Sequence, residues 1–216
     1  MKKVFLSRLP TPDSRLSHEF AAWAKGALLV GLDEVGRGPL AGPVMAGAVV
    51  FPAGHPGVLG VRDSKLVKRQ AEREAIASAV RREAAAWGVG AASVREIAEL
   101  NIRRATALAM QRALASCLRR LGNVDMEVWV DGLPVPELGT PHHALVKGDA
   151  TCHTIGAAAI LAKVVRDRLM QRLAARHDAY GWDSNVGYGS AGHMAAIRLH
   201  GLTAHHREQF CRGVTG

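Results

Sequence analysis

The segment Gly36-Arg37-Gly38-Pro39-Leu40-Ala41-Gly42-Pro43 constrains the fold of this chain more than any other feature. Three glycines and two prolines among eight residues exclude a helix or a central strand. Glycine forfeits backbone entropy in either element, and proline lacks an amide hydrogen. Apolar runs flank the segment, Ala27–Leu32 before it and Val44–Phe51 after it. Both have the length and composition of buried strands. A connection this short cannot carry a crossover, so the two strands are expected to pair antiparallel. The first of them ends on two acids, Asp33-Glu34, beside the turn.

Beyond Phe51 a loop with Pro52 and Pro56 leads to Asp63-Ser64-Lys65. Lys68–Trp87 has the charge density and apolar spacing of an amphipathic helix, with Ile76, Val80 and Trp87 inward. Gly88–Ala92 reads as a short strand. Ser93-Val94-Arg95-Glu96 is a capping box that starts a helix, and a long helix follows over Ile102–Leu121 with Gly122 as its C-cap. Glu127–Val130 is a strand that reaches Asp131-Gly132, and Ala144–Lys147 is another that reaches Gly148-Asp149. A helix is expected over Ile155–His177, then a glycine-rich loop, Gly181–Gly192, and a short helix. The order is that of an α/β protein. Residues 1–26 read as a polar lead-in and 27–216 as one domain.

Apolar residues make up 48% of the chain, enough for a core. The formal charge is +9 and the isoelectric point about 10.1, which suits a polyanion, nucleic acid before a membrane surface. Three cysteines, Cys117, Cys152 and Cys211, form no CxxC pair. That argues against a disulfide framework and for a reducing, cytoplasmic setting. The longest apolar stretch, Ile155–Val165, is interrupted by Lys163 and falls short of the roughly 20 residues of a membrane span.

Three predicted strands therefore end in acids: Asp33-Glu34, Asp131 and Asp149. Each acid alone could cap a turn or helix. Together at one sheet edge they could hold hard divalent cations such as Mn²⁺ or Mg²⁺, which prefer carboxylate oxygens. Spacing alone leaves both readings open. The glycines invite a dinucleotide site, but that fingerprint needs a helix directly after them and a strand follows here. His142-His143, Cys152-His153 and His205-His206 lack the spacing of a closed zinc site.

Gly31-Leu32-Asp33-Glu34-Val35-Gly36-Arg37-Gly38-Pro39-Leu40-Ala41-Gly42-Pro43-Val44 resembles the signature segment of the ribonuclease HII family. Further matching segments follow in the family's order: Asp63-Ser64-Lys65, Glu99-Leu100-Asn101-Ile102, Val130-Asp131-Gly132 and Val146-Lys147-Gly148-Asp149. After them come Ile160–Val164 with Arg166-Asp167, Gly187-Tyr188-Gly189, and His206-Arg207 with Phe210. The likeness runs over about residues 28–210. It implies a ribonuclease H-like mixed β-sheet flanked by helices, with a helical C-terminal part. It implies Asp33, Glu34, Asp131 and Asp149 as the catalytic, metal-binding set. It also implies that Gly36, Arg37 and Gly38 read the ribose 2′-hydroxyl and adjacent phosphate, with Tyr188 against the sugar at the RNA–DNA junction. Lys147, Lys163 and Arg166 are then backbone contacts. The chain departs from the family's usual residues at Leu66, Ala159, Asn185, Val186 and Gln209; none of these removes a metal ligand.

The implied activity is endoribonucleolytic. It cuts the RNA strand of RNA/DNA hybrids and cuts 5′ of ribonucleotides embedded in duplex DNA, through metal-activated water, in a monomer. Two rivals stay open. A related nuclease acting on DNA junctions would cut all-DNA substrates, and a non-catalytic hybrid-binding module would bind without turnover.

Overall fold

The computed structural model describes residues 14–61 and 69–215, so Asp63-Ser64-Lys65 and Leu66 lie outside the described residues. Within the lead-in, helix α1 (Ser17–Trp23) docks on the body through a buried acid. The Glu19 Oε1 accepts from the Thr154 amide at 2.8 Å and from the Thr154 hydroxyl at 2.7 Å.

Strands β1 (Leu28–Val35) and β2 (Val44–Val50) pair antiparallel, as the short connection requires. Helix α2 (Gln70–Glu83) and strand β3 (Ala86–Ala92) follow. Trp87, expected on the helix, belongs instead to β3, where it pairs with Val49. Apolar residues at 84–87 satisfy either period, and the open edge of β2 decides in favour of a strand. The Arg120 guanidinium lies 4.2 Å over the Trp87 ring.

Helix α3 (Val94–Leu121) begins with the expected capping box: Ser93 Oγ accepts from the Glu96 amide while the Glu96 carboxylate accepts from the Ser93 amide. The helix breaks at Asn101, whose backbone sits at φ 66° and ψ 165°. Its Oδ1 accepts from the amides of Arg103 and Arg104 at 3.0 and 3.2 Å and so caps the second stretch. Two helix starts were expected from the sequence, and two are present end to end.

Strands β4 (Met126–Asp131) and β5 (His143–Leu145) complete a mixed sheet of order β3-β2-β1-β4-β5, with β1, β4 and β5 parallel. The strand expected to run to Lys147 stops at Leu145. Gly148 and Asp149 instead open a four-residue helix, α4 (Gly148–Thr151). The long helix α5 (His153–Ala174) crosses one face of the sheet and α3 the other. Strand glycines permit both close approaches. A Cβ on Gly47 would stand 2.4 Å from the Ala158 carbonyl oxygen of α5, and one on Gly90 would stand 2.2 Å from the Ala109 carbonyl oxygen of α3. Ala158 packs under that restriction, and its neighbour Ala159 is buried as well.

The C-terminal part is helical, with α6 (Trp182–Asn185), α7 (Ala191–His200) and α8 (Glu208–Thr215). They gather around buried Trp182, Tyr180, Ile197 and Cys211, against Ala41 of the glycine loop and Met170 of α5. This packing is what brings the end of the chain to the loop after β1. Among the described residues no helix is long and apolar enough to cross a membrane.

Candidate active site

In the parallel pair β1–β4, Leu32 stands opposite Val130. The next residue on each strand is an acid, so Asp33 and Asp131 lie side by side. Side chains alternate along a strand, and both acids share the parity of the residues packed toward α5. Asp149 reaches them from the first turn of α4. One carboxylate oxygen from each of Asp33, Asp131 and Asp149 lies within 4.8 Å of the others. Asp33 and Asp149 are each only 7% exposed, which makes their closeness costly without a counter-charge.

The local bonds explain how the group is held. Asp33 Oδ1 accepts from the Glu34 amide at 2.6 Å. Asp131 Oδ1 accepts from the Gly148 amide at 2.6 Å, which fixes the start of α4 and with it Asp149. Burial, and then the charges of Glu34, Asp131 and Asp149, push the Asp33 carboxyl well above the usual carboxylate range. A cation among the three would remove that penalty. An all-carboxylate set is the donor chemistry of a hard divalent ion, not of zinc or copper.

Glu34, expected as the fourth ligand, has the opposite parity and faces α3. It lines a cavity of about 410 Å³ together with Arg37, Arg103, Thr106, Met110 and Asp131. Burial raises its pKa, while Arg37 at 3.4 Å opposes the rise. Glu34 therefore borders the three acids without belonging to the cluster they form.

The glycine loop is held by two buried arginines. Arg207 donates to the carbonyls of Gly42, Arg37 and Gly36 at 2.9, 2.9 and 2.6 Å. Arg166 donates to those of Pro43 and Ala41 at 3.1 Å each, and to that of Val186 at 2.9 Å. Gly36 has φ +84°, and a Cβ there would stand 2.2 Å from Arg166 Nε. Only glycine fits. A trans peptide points its carbonyl and its amide in opposite directions, and no peptide in the described residues is cis. Drawing the Gly36 and Arg37 carbonyls inward thus turns the amides of Arg37 and Gly38 outward, where both residues are exposed. The tip carries two outward N–H groups beside the Arg37 side chain. Tyr188, 45% exposed, places its ring edge 4.0 Å from where a Gly38 Cβ would be.

The basic residues sort differently from expectation. Arg166 is a correction: it is fully buried and its guanidinium is spent on loop carbonyls, so it shapes the loop and does not face a ligand. Lys163 is ion-paired to Asp167 at 2.8 Å, one helical turn along α5. Lys147 is exposed and left-handed at φ 59°, immediately before Gly148 and Asp149. Arg207 was the role missed. It stands in the His206-Arg207 motif, but nothing local in a sequence tells a buried brace from a surface charge. Of the unusual residues, Asn185 bridges the Tyr180 carbonyl at 2.7 Å and the Gly187 amide at 2.8 Å, and Gln209 reaches the Ala98 carbonyl at 3.2 Å.

Comparison with known proteins adds to this geometry. A sequence model of the ribonuclease HII family matches residues 30–213. The ribonuclease HII of Gluconobacter oxydans is 49% identical over 87% of this chain and 89% of its own. The crystal structure of ribonuclease H2 from Pyrococcus horikoshii superposes with a TM-score of 0.71 at 25% identity, covering 87% of this chain and 97% of that one. The crystal structure of Bst-RNase HIII in complex with Mn²⁺ has a TM-score of 0.65 at 18% identity, covering 97% of this chain and 70% of that one, and supports the fold.

Proposed function

The chain belongs to the ribonuclease HII family, and from that premise we propose that Asp33, Asp131 and Asp149, with Glu34 beside them, form the catalytic metal site. The enzyme is a metal-dependent endoribonuclease that degrades the RNA of RNA/DNA hybrids. The observation that carries the site assignment is the convergence of three carboxylate oxygens within 4.8 Å at the ends of two parallel strands and one helix.

Mg²⁺ or Mn²⁺ held there supplies Lewis-acid stabilisation of the phosphodiester and acidifies a water. The protein's own part is positional. Asp131 couples β4 to α4 and so fixes two acids at once. Glu34, at the cavity wall, holds Arg37 at the edge of the site. The outward amides of Arg37 and Gly38 and the Tyr188 ring form a reader for a ribose and its phosphate. A 2′-hydroxyl both donates and accepts, which is what lets such a surface tell RNA from DNA. Cleavage on the 5′ side of a ribonucleotide, leaving a 3′-hydroxyl and a 5′-phosphate, is the outcome that membership of the family implies. Lys147 and Lys163 are read as contacts to the nucleic-acid backbone. The same reading takes the chain as a monomer working in the cytoplasm, where its three buried cysteines, none in a disulfide, would stay reduced.

The test is a labelled DNA duplex with a single ribonucleotide, incubated with Mg²⁺, with Mn²⁺ and with chelator, beside an all-DNA duplex. Metal-dependent cleavage 5′ of the ribonucleotide, with the control intact, is expected. Cutting of the all-DNA duplex would favour a junction nuclease, and binding without turnover a hybrid-binding module.

A further inference from the structure

Beneath Tyr188 lies a buried pair of histidines that the chemistry above does not use. His193 of α7 is 1% exposed and His206 is 4% exposed, and Trp182, in ring contact with both, is fully buried. His193 Nε2 and His206 Nε2 are 3.1 Å apart. Trp182 Nε1 donates to His193 Nε2 at 3.0 Å. His193 Nδ1 lies 2.8 Å from the Tyr188 carbonyl oxygen. The Thr203 amide donates to His206 Nδ1 at 2.9 Å.

These partners permit one arrangement of protons. A carbonyl only accepts, so His193 Nδ1 carries hydrogen. The Trp182 N–H only donates, so His193 Nε2 carries none. The Thr203 amide only donates, so His206 Nδ1 carries none and its hydrogen is on Nε2, aimed at His193 Nε2. The chain therefore runs one way: Thr203 amide to His206, His206 to His193, His193 to the Tyr188 carbonyl. Reversing it would set N–H against N–H at the Thr203 amide and at Trp182 Nε1, and a lone pair against the Tyr188 carbonyl oxygen. An added proton on either ring would also oppose one of those two donors, and in a buried site an opposed donor is costly.

We propose that His193 and His206 are positioning residues for substrate recognition: their relay fixes the Tyr188 main chain and so holds the Tyr188 ring beside Gly38. The inference rests on the reading of Tyr188 as a contact at the RNA–DNA junction. Its geometric support is that two tethers meet at this short segment. Gly187 accepts from the Leu40 amide at 2.8 Å, which ties the segment to the glycine loop. The next residue, Tyr188, is tied through His193 to the helical C-terminal part. Tyr188 is thereby suspended between the loop it serves and the helices that carry it. A histidine pair kept for core stability alone would have no need to terminate on that carbonyl.

His193, not His206, is the residue to change, because His206 adjoins Arg207. Glutamine places its amide near the Nε2 position and asparagine near the Nδ1 position. His193→Gln therefore keeps an acceptor for Trp182 and His206 but loses the donor to Tyr188. His193→Asn keeps the donor to Tyr188 but leaves Trp182 and His206 without their acceptor. On duplex DNA with a single ribonucleotide, His193→Gln is expected to raise KM about 5- to 10-fold with kcat within about twofold, the worth of one neutral hydrogen bond. His193→Asn, which keeps the direct bond to Tyr188 but loses the hold of Trp182 and His206, is expected to raise KM less than His193→Gln although its Tm falls further. Wild-type KM in His193→Gln, or a KM that follows the loss of Tm across the two variants, would overturn the proposal. Tyr188→Ala, run in parallel, separates the two claims. If it raises KM and His193→Gln does not, the relay is wrong. If Tyr188→Ala also has wild-type KM, the reading of Tyr188 is what failed. Should neither histidine variant fold, ¹⁵N NMR of the wild-type imidazoles decides: His193 as the Nδ1–H tautomer and His206 as the Nε2–H tautomer are expected, and the opposite pair refutes the relay.

Discussion

The Asp131 carboxylate accepts a hydrogen bond from the Gly148 amide at 2.6 Å, so one acid of the cluster sets the position of another. Strand β4 and helix α4 meet through it, and Asp149 takes its place as a consequence.

Asp131→Asn separates the two duties of that side chain. The amide oxygen can still accept from Gly148, so the fold should hold and Tm should stay within a few degrees. The charge is lost. A metal site contributes several kcal/mol to the transition state, and each 1.36 kcal/mol is tenfold in rate. Cleavage of an RNA/DNA hybrid should fall by about a thousandfold. Wild-type activity in this variant would sink the metal assignment.

Asp33 should weaken the metal-free protein at neutral pH. Its carboxyl titrates above the ordinary range when folded, because of burial and then of its acidic neighbours. The folded state therefore holds its proton more tightly than the unfolded chain, and this contribution to stability is lost as pH rises through the folded pKa. Asp33→Asn should raise the Tm of chelator-treated protein at pH 7.5 by at least about 2–4 °C, the response to each kcal/mol in a chain of this size. It should also abolish the Tm gain that Mn²⁺ confers on wild type. Thermal melts with and without metal read both effects, and an unchanged metal-free Tm would count against a strained acid cluster.

Arg207→Lys keeps a positive charge but loses the planar fork that serves three carbonyls. Leaving buried carbonyls unserved around a misfitted cation should cost about 3–5 kcal/mol. KM should rise as well, since the Arg37 and Gly38 amides lose their fixed direction. Hydrogen exchange at those two amides would report the loosening directly, and unchanged exchange would refute the brace.

Val186 is β-branched yet left-handed, at φ 44°. That conformation costs a non-glycine residue roughly 1–2 kcal/mol. It is held by the Arg166 bond to the Val186 carbonyl at 2.9 Å. Val186→Asn, which tolerates the region, should stabilise the protein by about 1 kcal/mol, seen as a Tm rise of a few degrees. A fall in Tm would mean that the lost packing of Val186 outweighs the relief of strain.

Acid should release the histidine pair. Burial, then His193 beside it, lowers the His206 pKa from 6.5 to about 4, with His177 and His205 adding to the effect. Burial also lowers that of His193. A depressed histidine stabilises fully above its unfolded pKa, and that stability is lost as pH falls from about 6.5 towards 4. The Tm of wild type should drop across that window, and the drop should be shallower in His206→Gln. Equal slopes in the two proteins would remove the pair from the acid response.

Much of this was legible along the chain, because strand pairing and helix starts are local matters. The loop Gly36–Pro43 dictated an antiparallel pair, Ser93 and Glu96 announced a capping box, and the acids were conspicuous at the ends of apolar runs. Trp87 shows the limit of such reading, since a short apolar stretch fits two periods until a neighbouring strand chooses. Convergence was not legible. Asp33 and Asp131 become neighbours through the parallel register of β1 and β4, and parity sends Glu34 to the other face. Arg166 and Arg207 look like surface charges in the sequence, and only the packing of the C-terminal helices buries them. By itself the sequence determined the donors, the glycines and the elements that bear them, because these follow from side-chain chemistry and short-range geometry. Which acids meet, which arginines are withdrawn and which carbonyl the histidines hold were decided by tertiary structure, because burial and register depend on residues distant in the chain.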